Sequence, residues 1–138
     1  MRVSTFIAIS SFVLSLSLLL SGCGKFEQRL PEAGYRLLTS NEIRTALAGN
    51  TVYGTFYGAS GHDTGAAFFA ADGQARSRSN QGKWKVTDDN LFCDQWSNFE
   101  EGSDCDRVYL RGTDIVFVNL GGNISSEGKI EQGNSRGL

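Results

Sequence analysis

From residue 50 onward the chain is a succession of short runs rich in Val, Phe, Tyr, Trp and Thr, each cut off by turn-forming residues. Such residues suit a pleated, half-buried surface, and the interruptions come too often for helices. The runs span 51–57, 65–71, 74–79, 82–87, 91–96, 106–111, 114–120 and about 123–131. Asp72-Gly73 is a two-residue hairpin signal, because Gly takes a positive φ at no steric cost. Asp88-Asp89-Asn90, Gly112-Thr113 and Gly121-Gly122 mark further turns. Short strands joined by tight turns predict an antiparallel meander, and closing it on itself removes its unpaired edges. The expected fold is mainly β: a small up-and-down barrel of about eight strands, with a β-sandwich as the alternative. Alternation puts Val52, Phe56, Phe68, Trp84, Val86, Leu91, Val108, Leu110, Ile115 and Phe117 inside. A slip of one residue would turn any of these sets outward.

One helix precedes the strands. Thr39-Ser40-Asn41-Glu42 fits a capping box, with Thr39 as N-cap and Glu42 reaching back to its amide. Ile43 and Leu47 share a face, and Gly49 is a left-handed stop. Two turns cannot stand alone in water. The helix is therefore expected to plug or flank one end of the barrel.

The front of the chain has a different character. Arg2 is followed by an apolar stretch from Phe6 to Leu20, short for a bilayer span, which needs about 20 residues. A basic start, a short apolar middle and small residues at its end read as an export signal. The sequence Leu20-Ser21-Gly22-Cys23 resembles the bacterial lipoprotein signal, in which the peptide is cut before the Cys. That resemblance implies a diacylglycerol on the Cys23 thiol, an acylated amine and a membrane anchor. Gly24, in place of an Asp after the Cys, implies the outer membrane, with the protein facing the periplasm. Residues 1–22 then form a cleaved signal, 23–34 a lipidated tether, 35–132 the domain and 133–138 a Gly-rich loose end.

In an exported chain, Cys93 and Cys105 read as a disulfide pair. A two-Cys metal site would need two more ligands, and His62 is the single His. The net charge of −2 and pI near 5.3 argue against nucleic acid as a partner. No nucleophile elbow, zinc motif or phosphate loop appears, so no cofactor, metal or catalytic residue is assigned.

Four constellations remain. Phe92 and Trp96, with Tyr53 and Tyr57 on another strand, could line a ligand pocket, although aromatics at strand spacing usually pair across a sheet. Arg76 and Arg78, like Lys83 and Lys85, are two apart, so each pair shares one strand face. Together they would form a cationic patch opposite Trp84 and Val86, suited to an anionic surface. The carboxylates of Asp94, Glu100, Glu101, Asp104 and Asp106 crowd the loop that the cysteines would close and read as a solvated acidic loop. Calcium could use such oxygens, but the spacing is not that of an EF-hand. His62, with Ser60 and Asp63, falls in a Gly-rich stretch from Gly58 to Gly65 that reads as a loop, too local for triad geometry.

From Thr39 to about Leu110 the chain also resembles a family of small exported bacterial proteins of uncharacterised role. The resemblance is carried by Thr39-x-x-Glu42-Ile43, Leu47-x-Gly49-Asn50-Thr51-Val52, Asp72-Gly73, Gly82-x-Trp84-x-Val86, Leu91-Phe92-Cys93-x-x-Trp96 and Cys105-x-x-Val108. It implies a secreted β-rich domain with one disulfide and brings no catalytic residues. The expectation is a non-enzymatic envelope lipoprotein that binds a small ligand or an envelope protein partner. The alternatives are a structural lipoprotein without ligand and a periplasmic inhibitor of a cell-wall-degrading enzyme.

Overall fold

The computed structural model describes residues 26–58, 61–97 and 104–138. The elements are a 3-10 turn (Phe26–Arg29), β1 (Arg36–Leu37), α1 (Ser40–Leu47), β2 (Asn50–Gly58), β3 (Gly61–Phe69), β4 (Gln74–Ser77), β5 (Gln81–Val86), β6 (Phe92–Trp96), β7 (Asp104–Arg111), β8 (Asp114–Asn119) and β9 (Ile124–Glu131). From β2 onward each strand pairs antiparallel with the next, and β9 returns to pair with β2. The result is a closed eight-stranded up-and-down barrel, so the sandwich alternative falls. Strand β1 adds to β7 at Tyr109 and Leu110, beyond the point where β6 leaves off.

Helix α1 closes one end. The Glu42 carboxylate accepts from the Thr39 amide and hydroxyl, both at 2.9 Å, as the capping box requires. A second cap comes from far along the chain. Asn90, the sole non-glycine residue with positive φ among those described, accepts from the Ser40 amide at 2.7 Å and thereby ties the β5–β6 turn to the helix. Ile43 and Leu47 are fully buried. They sit over a core that includes Val52, Phe69, Trp84, Phe92, Val108 and Phe117. Phe92 lies among three other rings, with centroids 5.4 Å to Phe69, 6.1 Å to Trp84 and 5.1 Å to Phe117.

The structure corrects several expectations. In β3 the inward residues are Ala67 and Phe69, while Phe68 faces outward opposite Thr51. The slip is decided by pairing: Ala67 lies across from the inward Val52. Leu91 is half-buried in the turn before β6 and is not a core residue. The stretch from Gly61 to Gly65 is strand, not loop. There Gly65 faces Gly54, and Gly54 faces Gly128. These glycines let the sheet bend tightly: a Cβ on Gly54 would stand 2.0 Å from the Glu127 carbonyl oxygen.

Both chain ends are also packed more closely than a tether and a loose tail would be. Cys23 lies outside the described residues, but from Phe26 the chain straps the outer wall. Leu30 is buried with Tyr109, Val116 and Val118. The Glu27 carboxylate accepts from Arg107 and, at 2.7 Å, from the Tyr109 hydroxyl. At the other terminus the Gly133 amide donates to Asn50, and the Thr51 hydroxyl donates to the Gly133 carbonyl at 2.7 Å. The Arg136 guanidinium pairs with Glu131 and lies 4.0 Å from the Tyr53 ring centroid.

Candidate functional site

The end of the barrel opposite α1 is open. Strands β2 and β3 run nine residues each, but β4 has four, and β3 pairs with β4 through Ala67, Phe68 and Phe69 alone. The wall is therefore low at the β4–β5 turn. A depression of about 1540 Å³ runs from the mouth across this notch and over the rim. Its walls include Phe56, Asp94, Trp96 and Asp106.

The chemistry of the mouth comes from β6 and β7. Strand alternation turns Phe92, Asp94 and Trp96 to one face of β6. It turns Asp104, Asp106 and Val108 to the matching face of β7. Phe92 and Val108 lie in the core, so this face is the interior. Asp94 stands opposite Asp104 in register, one step nearer the mouth than the pair Phe92 and Asp106. The two strands share three register pairs, and the middle one is Cys93 with Cys105. Their sulfurs are bonded, with Cα atoms 4.1 Å apart. A crosslink of this kind contributes about 2–4 kcal/mol. Here it pins a hairpin of three register pairs at the mouth, directly behind the inward carboxylates.

Three carboxylates of the expected solvated loop are thus strand residues aimed into the barrel. Glu100 and Glu101 lie outside the described residues. The Trp96 indole N–H donates to Asp94 at 2.8 Å, and the Ser125 hydroxyl donates to Asp106 at 2.7 Å. Ser125 reaches inward at the bulge where the register of β8 and β9 shifts. Burial pushes the Asp94 carboxyl up to about 6. The Trp96 hydrogen bond opposes that rise, while the charges of Asp106 and Asp104 add to it. Asp106 is raised too, chiefly by burial. Among the described residues none of the three forms an ion pair. The Arg107 guanidinium, next in sequence to Asp106, is engaged by Glu27. No group of three His, Cys, Asp or Glu among the described residues is placed to hold a metal ion.

A carboxyl raised in the fold binds its proton more tightly there than in the unfolded chain. Its contribution is fully present below about pH 4 and declines as pH rises through about 6. Asp94→Asn keeps an acceptor for Trp96 and removes the charge. The variant is expected to be more stable than the wild type at pH 7.5, by about 2–3 kcal/mol at one pKa unit per 1.36 kcal/mol. At pH 4 the two should be equal. Urea unfolding at the two pH values measures this. A constant difference across the range would show that the carboxyl titrates as an ordinary surface Asp.

Three of the four aromatic candidates, Tyr53, Tyr57 and Trp96, border the same depression, and Phe92 does not. Trp96 lines the mouth. Phe92 is 2 % exposed in the core floor and is closed to any ligand. Tyr53 and Tyr57 border the depression from the outer face of β2, where both are exposed. The Tyr57 hydroxyl donates to Glu127 at 2.6 Å. Of the cations, Arg76, Lys83 and Lys85 share the exposed outer face of β4 and β5, opposite Gln81, Gln74 and Cys93 respectively. Arg78 lies past the end of β4 and borders the mouth. His62 is exposed on β3, its ring 6.2 Å from that of Tyr57.

Sequence reasoning missed Asp94, Asp104, Asp106 and Ser125 as inward groups. A signal was present. Asp94 and Trp96, like Asp104 and Asp106, alternate with the two cysteines at strand spacing. No protein-family model matches the chain, no curated protein matches it, and no solved structure matches it.

Proposed function

We propose that the chain is a non-enzymatic, lipid-anchored envelope protein whose open barrel mouth binds a ligand carrying a positively charged group on an apolar body. The observation that carries this reading is the contrast between the two ends. The half under α1 is filled by interlocked side chains, as a structural spacer would be throughout. The other half is a depression whose lining includes Phe56 and Trp96, with Arg78 at its border and with inward carboxylates that form no ion pair among the described residues. A cavity with apolar walls and a few convergent polar groups is the usual form of a small-molecule site. An ammonium group between such carboxylates gains more than it would in water, because the lower local dielectric strengthens each attraction, and the Trp96 ring adds a face for a cation.

The anchor reading draws on Leu20-Ser21-Gly22-Cys23 and the apolar stretch before it. Two or three acyl chains hold a protein firmly where one holds marginally. An exported setting also suits the Cys93–Cys105 bond.

The test is calorimetric titration of the purified domain at pH 7.5 with 1,4-diaminobutane, and with adipate as the dianion of similar length. The diamine should bind and adipate should not. Asp94→Asn/Asp106→Asn should weaken the diamine at least about tenfold, or 1.4 kcal/mol. Equal heats from diamine and adipate, or an unchanged affinity in the double variant, would contradict the reading.

A further inference from the structure

The strap of residues 26–35 has a direction. Glu27 is held by Arg107, whose neighbour Asp106 faces Asn119 at the mouth end of β7 and β8. Tyr35 and β1 lie at the other end, where Leu110 faces Arg36 and the Arg111 guanidinium covers the Tyr35 ring at 4.4 Å. The chain therefore enters the fold at the rim of the mouth and descends the wall to the plugged end. Gly24 and Lys25 alone separate Cys23 from Phe26, and a link of that length reaches about 10 Å at most.

The same sector of the rim carries unusual side chains. Phe26 is 59 % exposed and Leu120 is 60 % exposed, the highest values among the exposed large apolar residues described. Each is next in sequence to a group bound by Arg107. Its guanidinium donates to the Glu27 carboxylate and, at 3.3 Å, to the Asn119 carbonyl. The like charges of Arg76, Lys83 and Lys85 lie on the β4–β5 wall, which is across the barrel from β8 and β9 in the strand order.

We infer that the β8–β9 sector of the mouth rim docks on the lipid surface that holds the anchor, with Phe26 and Leu120 set into its interface. The inference rests on the reading of Cys23 as acylated. It goes beyond that reading because an anchor on a slack tether would leave the barrel free to turn. Here a short link at the rim and two exposed apolar side chains beside it select one face. The mouth then opens at the level of the headgroups.

The test compares amide hydrogen exchange of the acylated chain on phosphatidylethanolamine/phosphatidylglycerol vesicles with that of the Cys23→Ser chain free in solution. Exchange in residues 26–30 and 119–124 should slow about fivefold or more on vesicles, while the turns at 70–73 and 87–91 stay unchanged. In Phe26→Ser/Leu120→Ser the chain should remain acylated and vesicle-bound, with that slowing lost. An intact mass without acyl groups would remove the anchor reading and this inference together. An acylated chain whose rim exchanges freely, or whose two ends slow equally, would remove this inference alone. Rim protection that persists in the double variant would also overturn it.

Discussion

The Gly54→Ala substitution is expected to destabilise the barrel by about 3 kcal/mol or more, whereas Gly65→Ala, on its direct cross-strand partner, should leave it within about 1 kcal/mol of the wild type. The two glycines face each other and both point inward. A Cβ on Gly54 would stand 2.0 Å from the Glu127 carbonyl oxygen and 2.5 Å from the Gly128 Cα. Those are backbone atoms of β9, so relief requires β2 and β9 to part at the seam that closes the barrel. A Cβ on Gly65 meets nothing within 4 Å and projects into the open half. Alanine also restricts the unfolded chain more than glycine does, so a small gain at Gly65 is the expected sign. Chemical denaturation of the two variants checks the contrast. Equal losses would mean that β2 and β9 do not approach as closely as closure requires.

The second large effect is expected at Phe92. Phe92→Ala should cost about 3–5 kcal/mol, because a fully buried ring is removed and its neighbours cannot collapse into the space. Those neighbours are Phe69, Trp84 and Phe117, held by strands on different sides of the barrel. Trp96→Ala should cost much less, since Trp96 is only partly buried at the mouth, yet it should weaken diamine binding while Phe92→Ala leaves any folded fraction competent. Thermal unfolding and calorimetry on the same pair of variants separate floor from wall.

Much of the architecture was legible in the sequence. Turn residues fell where the strands end: Asp72-Gly73 does turn the chain, with φ +89° at Gly73, and the capping box at Thr39 and Glu42 formed as the spacing predicts. Closure followed from the edge argument. What alternation could not decide was the face of a doublet. Ala66, Ala67, Phe68 and Phe69 read the same in either phase, and the partner strand chose. In β8 all four residues from Ile115 to Val118 are buried, Val116 and Val118 beneath the strap rather than in the barrel. A two-sided apolar strand signals a cover on its outer face but does not say what supplies it. The cover was illegible because Glu27 and Leu30 act on partners about 80 residues away. The candidate site was half legible. The cysteines marked its frame, and Trp96 was singled out. The three aspartates were read as loop because charge was weighed ahead of the period-two pattern that turns them inward.

The inward acidic mouth is the feature on which the proposed binding depends. The most direct measurement is nuclear magnetic resonance of the isotope-labelled domain at pH 7.5, titrated with 1,4-diaminobutane. Saturable shifts of the Trp96 indole N–H and of the amides at 94–96 and 104–106 are expected, with the helix and the β1 strand unmoved. Shifts on the outer wall of β2 around Tyr53 and Tyr57, or the same pattern in Asp94→Asn/Asp106→Asn, would contradict it.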